Sequence, residues 1–461
     1  MNTKRNLIQI CLLCAALSQA LTSHAQLTVT NIAAGAYHSL FIKSDGSLWV
    51  MGRNDYGELG DNTTDNDNYQ TNRPEQIVPG GVTAIAGGFY HSVFIENGGL
   101  WAMGNNVYGQ LGKGSSQVNA PELVVGSGVT NVAAGEYFSL FLGSDSLWGM
   151  GINQAGQLGD ATGTYPSYVP EMIEASGVTA IAVGSWHTLF LTSDGSLWAM
   201  GDNEKGQLGN GTTSDGVTSS PQFVANGVTA IAAGDFHSLF LKNDGSLWAM
   251  GYNNSGQLGD GSYTDTNLPE MIVPTNVVAI AAGGDTSLFI KNDGSLWAMG
   301  YNLYGQLGDG TTDNGNYQTN RPEMIVPSGV TAIAAGERHS LFLKNDGSLW
   351  AMGNDQYGQL GDGIVPTTFP HGTNQPELIV PGSIVPPGYN HISAQLLTGG
   401  NVRLSFVGLA GTNYVLDRTF NLSPVNWVPQ ATNPAGAGGV LVFTNTPIAT
   451  TNNFWRVRAV P

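Results

Sequence analysis

The stretch Lys242–Gly261, KNDGSLWAMGYNNSGQLGDG, recurs with small changes seven times along this chain of 461 residues. The copies are anchored on Trp49, Trp101, Trp148, Trp198, Trp248, Trp297 and Trp350, which stand 52, 47, 50, 50, 49 and 53 residues apart. Self-similarity at a period near fifty marks a repeat architecture, so the chain is read unit by unit.

One unit runs from Gly227 to Val273. Val228–Gly234 is a short apolar run, and His237–Leu241 follows after a two-residue turn. Asn243-Asp244-Gly245 is a hairpin signal, because Asx-Gly tolerates the positive φ of a tight turn. Ser246–Gly251 makes a third strand. After GQLGDG and a loop, Pro269–Val273 reads as a fourth, with proline at its start, where a missing amide donor is tolerated. Four short antiparallel strands repeated seven times predict an all-β, seven-bladed β-propeller. A parallel β-helix is the alternative, but its coils need far fewer than fifty residues and no hairpin. A closed ring of seven also removes exposed sheet edges.

The pattern VTAIAAG-x-x-HSLFLK-NDG-SLWAMG-x-N-x-x-GQLG resembles the repeat of the regulator of chromosome condensation family of seven-bladed propellers, over roughly Leu27 to Gly382. Met stands two residues after each Trp, where that family often has a second aromatic; this is a packing substitution. The resemblance implies a propeller with no fixed activity. The family's nuclear member is an exchange factor for a small GTPase and binds chromatin, roles that an N-terminal export signal and an acidic surface argue against here. The repeats are also similar to those of the secreted bacterial β-lactamase inhibitor protein II, which blocks an enzyme with one face. That parallel is an analogy of fold.

Lys4 and Arg5, the apolar run Leu7–Leu17 and the exit Ser23-His24-Ala25 describe a signal peptide over residues 1–25, ahead of a propeller over 26–382. The apolar run is too short for a permanent membrane span. The expected location is secreted, periplasmic or cell-surface. Cys11 and Cys14, the only cysteines, fall in that peptide, where they read as apolar signal residues; a lipoprotein signal is disfavoured by Leu13. Losing Lys4 and Arg5 takes the net charge from −18 to −20. Such acidity disfavours nucleic acid and anionic membrane as partners. Residues 383–390, with Val385-Pro386-Pro387-Gly388, read as a linker. Residues 391–461 read as a small β-sandwich-like C-terminal module with strands near Val402–Phe406, Tyr414–Leu416, Val440–Phe443 and Phe454–Val457. They resemble a module of secreted proteins from environmental bacteria.

No nucleophile elbow, zinc-protease helix, phosphate loop or dinucleotide fingerprint is present, so no catalytic residue and no cofactor are expected. His38, His91, His187, His237 and His339 share one column, filled by Phe138 and Thr286 in the other two units. A ring spreads them out, and they read as structural imidazoles bonded to neighbouring backbone. The loops around Asp61–Asp67 and Asp309–Asn314 are rich in oxygen ligands but lack the calcium-loop register, so no metal is assigned.

The copies differ most on one face. If strands alternate, the G-x-x-HS turns and the N-x-x-GQLG loops emerge together, opposite the uniform NDG hairpins. The residues before the histidine column are Tyr37, Tyr90, Tyr137, Trp186, Phe236, Asp285 and Arg338. Aromatic and Arg residues dominate binding hot spots, so these seven are the candidate partner-binding face. Tyr56, Tyr108, Tyr304 and Tyr357 add to it from the loops. The competing reading has each ring packed over its own turn. The expected function is non-enzymatic recognition of a protein by a monomer. Carbohydrate binding or cleavage at the same face, and a structural cell-surface role, are the alternatives; carboxylates converging there would favour cleavage.

Overall fold

The computed structural model describes residues 27–64, 71–160, 166–312, 319–364 and 371–382, and the strands 392–396, 402–407, 413–419, 428–434, 440–445 and 454–460. The signal-peptide assignment (1–25), the linker (383–390), Asp65–Asp67 and Asp313-Asn314 lie outside the described residues. The chain divides after Gly382 into two compact units.

Thr28–Gly382 is a seven-bladed propeller. The first blade is Val29–Ala34, His38–Lys43, Leu48–Gly52 and Thr71–Val78, each strand antiparallel to the next. The same consecutive order recurs in all seven sheets. The innermost strand ends at the central axis, and the second is buried over its first five residues, as in His237–Leu241. Within it Leu239-Phe240-Leu241 is apolar without alternation because both faces are covered by neighbouring blades. Each apolar cluster therefore straddles a seam: Leu40, Ile42, Leu48 and Val50 of the first blade pack with Phe94 and Met103 of the second.

The repeat tryptophans lie at the outer part of these seams, partly buried. Trp248 stacks on its cross-strand partner Phe240 at 6.1 Å and 6° between planes, and Lys242 Nζ lies 4.2 Å above it. Its indole N–H donates to Ser246 Oγ at 2.8 Å, as a partly buried indole requires. The repeat methionines are fully buried, and each reaches the QLG glycine of the preceding blade. At Gly259 φ is +77°, and a Cβ would overlap the Met299 sulfur. Only glycine meets both demands.

Several strand bounds differ from expectation: Asn413–Thr419 and Phe454–Val460 run longer, Ile392–Leu396 and Val428–Pro434 were not expected, and the outermost blade strand begins earlier. The outermost strand of the fifth blade is Thr266–Val273, so Pro269 lies inside it. Two features permit this: the strand is an edge, and its register with the third strand shifts between Ala249 and Gly251.

The ring closes without a shared strand. Val29, Ile32, Phe41 and Met51 pack against Leu341, Leu343, Leu349 and Ala351 of the seventh blade. Val29 N–H donates to Gly347 O at 3.1 Å, and Gly363 N–H donates to Asn72 O at 2.8 Å. Beyond Gly382, Ile392–Leu396, Val402–Val407 and Val440–Asn445 form one antiparallel sheet, and Val428–Pro434, Asn413–Thr419 and Phe454–Val460 another.

Candidate functional site

The histidine column builds the seams. His237 opens the second strand of its blade, and its Nε2 lies 2.9 Å from Ser287 Oγ of the next blade. That hydroxyl donates its one proton to Gln257 O at 2.7 Å, so the imidazole must donate through Nε2–H. The latch repeats as His38–Ser92, His91–Ser139, His187–Ser238 and His339–Ser39, all at 2.8–2.9 Å. The last pair closes the ring. Burial pushes each imidazole down to about pKa 3, and each Nδ1 is buried without a partner. The partner is thus a serine of the following blade, not the neighbouring backbone that the sequence suggests. Among the described residues, no group of three or more His, Cys, Asp or Glu is arranged to hold a metal.

One residue before each position of the histidine column, the side chains turn to the mouth of the ring, all seven partly buried. Turn and loop residues meet there, as alternating strands dictate. Tyr37 lies 5.4 Å from Tyr357 and 6.5 Å from Tyr90; Tyr90 lies 5.1 Å from Tyr56 and 6.0 Å from Tyr137; Tyr137 lies 5.1 Å from Tyr108. Six tyrosines from blades seven, one, two and three thus form a contiguous arc. Arg53 lies within its span, 5.0–6.0 Å from the rings of Tyr37, Tyr56, Tyr90 and Tyr357, and is paired with Asp55. Burial raises Tyr37 and Tyr137 to about pKa 12. The rings pack on rings of adjacent blades and not only over their own turns.

The other four predicted residues leave this arc. Trp186 donates its indole N–H to Glu136. Phe236 packs on Tyr252 at 6.5 Å. Asp285 accepts from Gln257 Nε2 at 2.9 Å and Ser255 Oγ at 3.4 Å. Arg338 donates to the Tyr304 hydroxyl at 2.8 Å and lies 4.9 Å from that ring.

A second group was not singled out by the sequence. The residue after each innermost-strand glycine faces a central cavity of about 120 Å³, lined by the turns of all seven blades. Glu136, Asp235 and Glu337 fall in that column, with Ser185 beside them. Asp235 accepts from Ser185 Oγ at 2.8 Å. It also hydrogen-bonds Glu337, two blades away; Gly284 of the intervening blade leaves the gap. Burial, then the Glu337 charge, pushes Asp235 well above the carboxylate range. Burial also raises Glu337. Glu136 rises to about 7 and Asp285 to about 6, each by burial first and the Asp235 charge second. The column itself was the missed signal: near the axis, ring symmetry gathers side chains that it disperses further out.

Two more carboxyls stand where other blades carry amides. Glu58 replaces the repeat glutamine, is fully buried, accepts Tyr56 N–H at 2.8 Å through Oε2, and leaves Oε1 without a partner. Asp355 replaces the repeat asparagine, with Oδ2 in the same condition. Burial raises both to about 8.

The RCC1-like domain profile matches residues 118–401, and the regulator of chromosome condensation (RCC1) repeat matches 29–58, 82–110 and 45–95. An X-linked retinitis pigmentosa GTPase regulator homolog of Caenorhabditis elegans is 38% identical over 92 residues, 18% of this chain and 6% of that protein. A Protein RCC2 homolog of Danio rerio is 39% identical over 84 residues, 17% of this chain and 16% of its own length. The chain thus spans less than a fifth of these relatives. Human WBSCR16 superposes with TM-score 0.63 at 23% identity, over 73% of this chain and 94% of its own. Yeast RCC1 superposes with TM-score 0.63 at 21% identity, over 78% and 86%. Those two likenesses carry the fold alone.

Proposed function

The chain belongs to the RCC1-like domain family, and from that premise we propose that it is an exported, non-enzymatic binding protein. It recognises a protein partner through the mouth of the propeller, with Tyr37, Tyr90, Tyr137, Trp186, Phe236, Asp285 and Arg338 in the contact surface. The tail is a small sandwich-like β-module appended to this reader. The observation that carries the reading is the contiguous tyrosine arc enclosing Arg53. Tyrosine and arginine, rigid and partly buried before any partner arrives, lose little conformational entropy on binding and are the residue types of hot spots. Protein binding by relatives is consistent with it: yeast RCC1 has been studied for its binding to histones.

A carbohydrate reading draws on the converging carboxylates. Cleavage fits them poorly, because Asp235 and Glu337 are hydrogen-bonded to each other. Paired glycosidase carboxyls stand about 5 Å or more apart, with the sugar or a water between them. The tyrosine arc would still suit sugar stacking.

Affinity capture against secreted and envelope fractions tests the proposal, with the full chain beside a Tyr90→Ala, Tyr137→Ala, Trp186→Ala variant. A protein held by the parent and lost by the folded variant is the expected result. Equal capture by both would remove the mouth from consideration, and selective retention of a polysaccharide would transfer the face to the second reading.

A further inference from the structure

The first blade departs from the repeat at two positions that touch each other elsewhere in the ring. In blades two, four and seven the glutamine of the QLG loop donates through Nε2 to the residue after the third-strand glycine: Gln110 to Asn105 at 3.0 Å, Gln207 to Asp202 at 3.0 Å and Gln359 to Asn354 at 2.8 Å. In the first blade Glu58 stands for the glutamine and Arg53 for its acceptor, so donor and acceptor have changed places. The exchange is complementary and suits a buried Glu58–Arg53 pair. Arg53 is turned the other way. Its guanidinium is paired with the partly exposed Asp55 and lies 5.0–6.0 Å from the rings of Tyr37, Tyr56, Tyr90 and Tyr357, within cation–π range of all four. Glu58 Oε1 is left fully buried with no hydrogen-bond partner. A buried carboxyl oxygen in that state is costly, and native structures nearly always supply a donor. Arg53, in the same loop, is the neighbouring cation that can supply it.

We propose that Tyr37, Tyr56, Tyr90, Tyr357 and Asp55 form a cage for an arginine side chain of the partner protein, and that Arg53 is its placeholder, swinging inward onto Glu58 when that arginine enters. This rests on the mouth being the protein-binding face; within it Arg53 is the displaced group and the tyrosine rings are the contact. The occupant is argued from what the cage already holds, a guanidinium among tyrosine rings with a carboxylate at its nitrogens. That combination of aromatic stacking and carboxylate pairing is the chemistry of arginine more than of lysine. Charge agrees, in a chain whose net charge is −18. After the swing each guanidinium has a carboxylate, the incoming one Asp55 and Arg53 Glu58. Burial keeps the unpaired Glu58 neutral up to about pH 8; beside Arg53 it ionises and its proton leaves to water. The titratable groups bordering this pair are Asp55 and Tyr56 of its own loop, Tyr37 and His38 of the first turn, Tyr90 of the second blade and Tyr357 of the seventh. His38 stays neutral, held by burial below the imidazole range. Binding is therefore coupled to release of one proton.

A capped tripeptide, acetyl-Gly-Arg-Gly-amide, titrated into the full chain and followed by ligand-observed NMR, tests this directly. It should bind the parent about tenfold more tightly than the neutral citrulline peptide of the same shape, and more tightly at about pH 8.5 than at about pH 6.5. Glu58→Gln, nearly isosteric with the neutral carboxyl, denies Arg53 its second partner. Its affinity for the peptide should fall about fivefold or more, although thermal unfolding shows it folded and no less stable than the parent. Arg53→Ala empties the cage, so affinity should rise and lose its pH dependence. Parent-like binding by Glu58→Gln, or no tighter binding by Arg53→Ala, would overturn the placeholder, and no binding by the parent would overturn the cage itself. A lysine peptide that binds more tightly than the arginine peptide would overturn the choice of occupant. The premise has its own readout: if the Tyr90→Ala, Tyr137→Ala, Trp186→Ala variant still captures the partner protein, the protein-binding reading of the mouth fails whatever the peptide does. If capture is lost in that variant but unchanged in Glu58→Gln, only the arginine proposal falls.

Discussion

Adjacent residues in the same turn live under opposite rules. In five blades one residue is a histidine, fully buried and latched to the next blade at 2.8–2.9 Å; the residue before it is Tyr, Tyr, Trp, Phe or Arg, facing the mouth. A strand sends successive side chains to opposite sides, so one step separates a seam that every blade must satisfy from a surface that none must. The repeat is therefore strict inside and free at the mouth. The two blades lacking the latch carry Phe138 and Thr286, and both side chains remain buried.

The contrast is broken or sharpened most strongly at the seams. Trp248→Ala and His237→Ala should each destabilise the propeller by about 3–5 kcal/mol in denaturant unfolding, through lost packing and, for the histidine, a disrupted latch. A cost below about 1 kcal/mol for either would deny the seams their special status.

Glu58→Gln should act in the opposite direction. Glu58 keeps its proton in the folded state to about pH 8, whereas the unfolded chain loses it near 4.5. The folded state is therefore penalised progressively as pH rises from about 4.5 to 8. The glutamine of the other six blades removes that penalty, a gain on the order of 3–5 kcal/mol at pH 8.5 and close to none at pH 4. Stability measured at the two pH values checks it; an equal gain at both would mean the carboxyl is not the cause.

The histidines have the reverse sign. Their folded pKa values, about 3, lie below the unfolded 6.5, so their contribution is complete above pH 6.5 and is lost as pH falls towards 3. Each adds about 1.4 kcal/mol per pH unit to the acid slope in that window. His237→Thr, the solution of the sixth blade, should reduce proton uptake on unfolding at pH 5 by about one. The smallest effect belongs to the mouth: Tyr90→Ala should change stability by under about 1.5 kcal/mol while it weakens partner capture.

Seven blades were legible because period, hairpin and strand lengths agree in every copy. The latches were half legible. The histidines stood in one column and the serines in the next, but pairing one copy's histidine with the following copy's serine requires knowing that consecutive blades touch edge to edge. Pro269 misled because a proline in a pattern marks an edge strand as readily as a strand start. The acidic wall was illegible for a geometric reason. Glu136 and Glu337 are 201 positions apart in sequence, and only distance from the axis decides whether a column converges. Glu58 and Asp355 were visible as exceptions to the repeat, though their burial was not.

The closure of the ring has a consequence for chain connectivity. Every blade is sewn from its own four consecutive strands, and Thr28 and Gly382 both abut the Asp346–Ser348 hairpin. The propeller therefore has no privileged beginning. Joining residue 382 to 28 through a short linker and reopening the chain between Asn226 and Gly227 would give a circular permutant with the same seven seams. In such a molecule the point where synthesis starts becomes a choice of the gene and not of the fold.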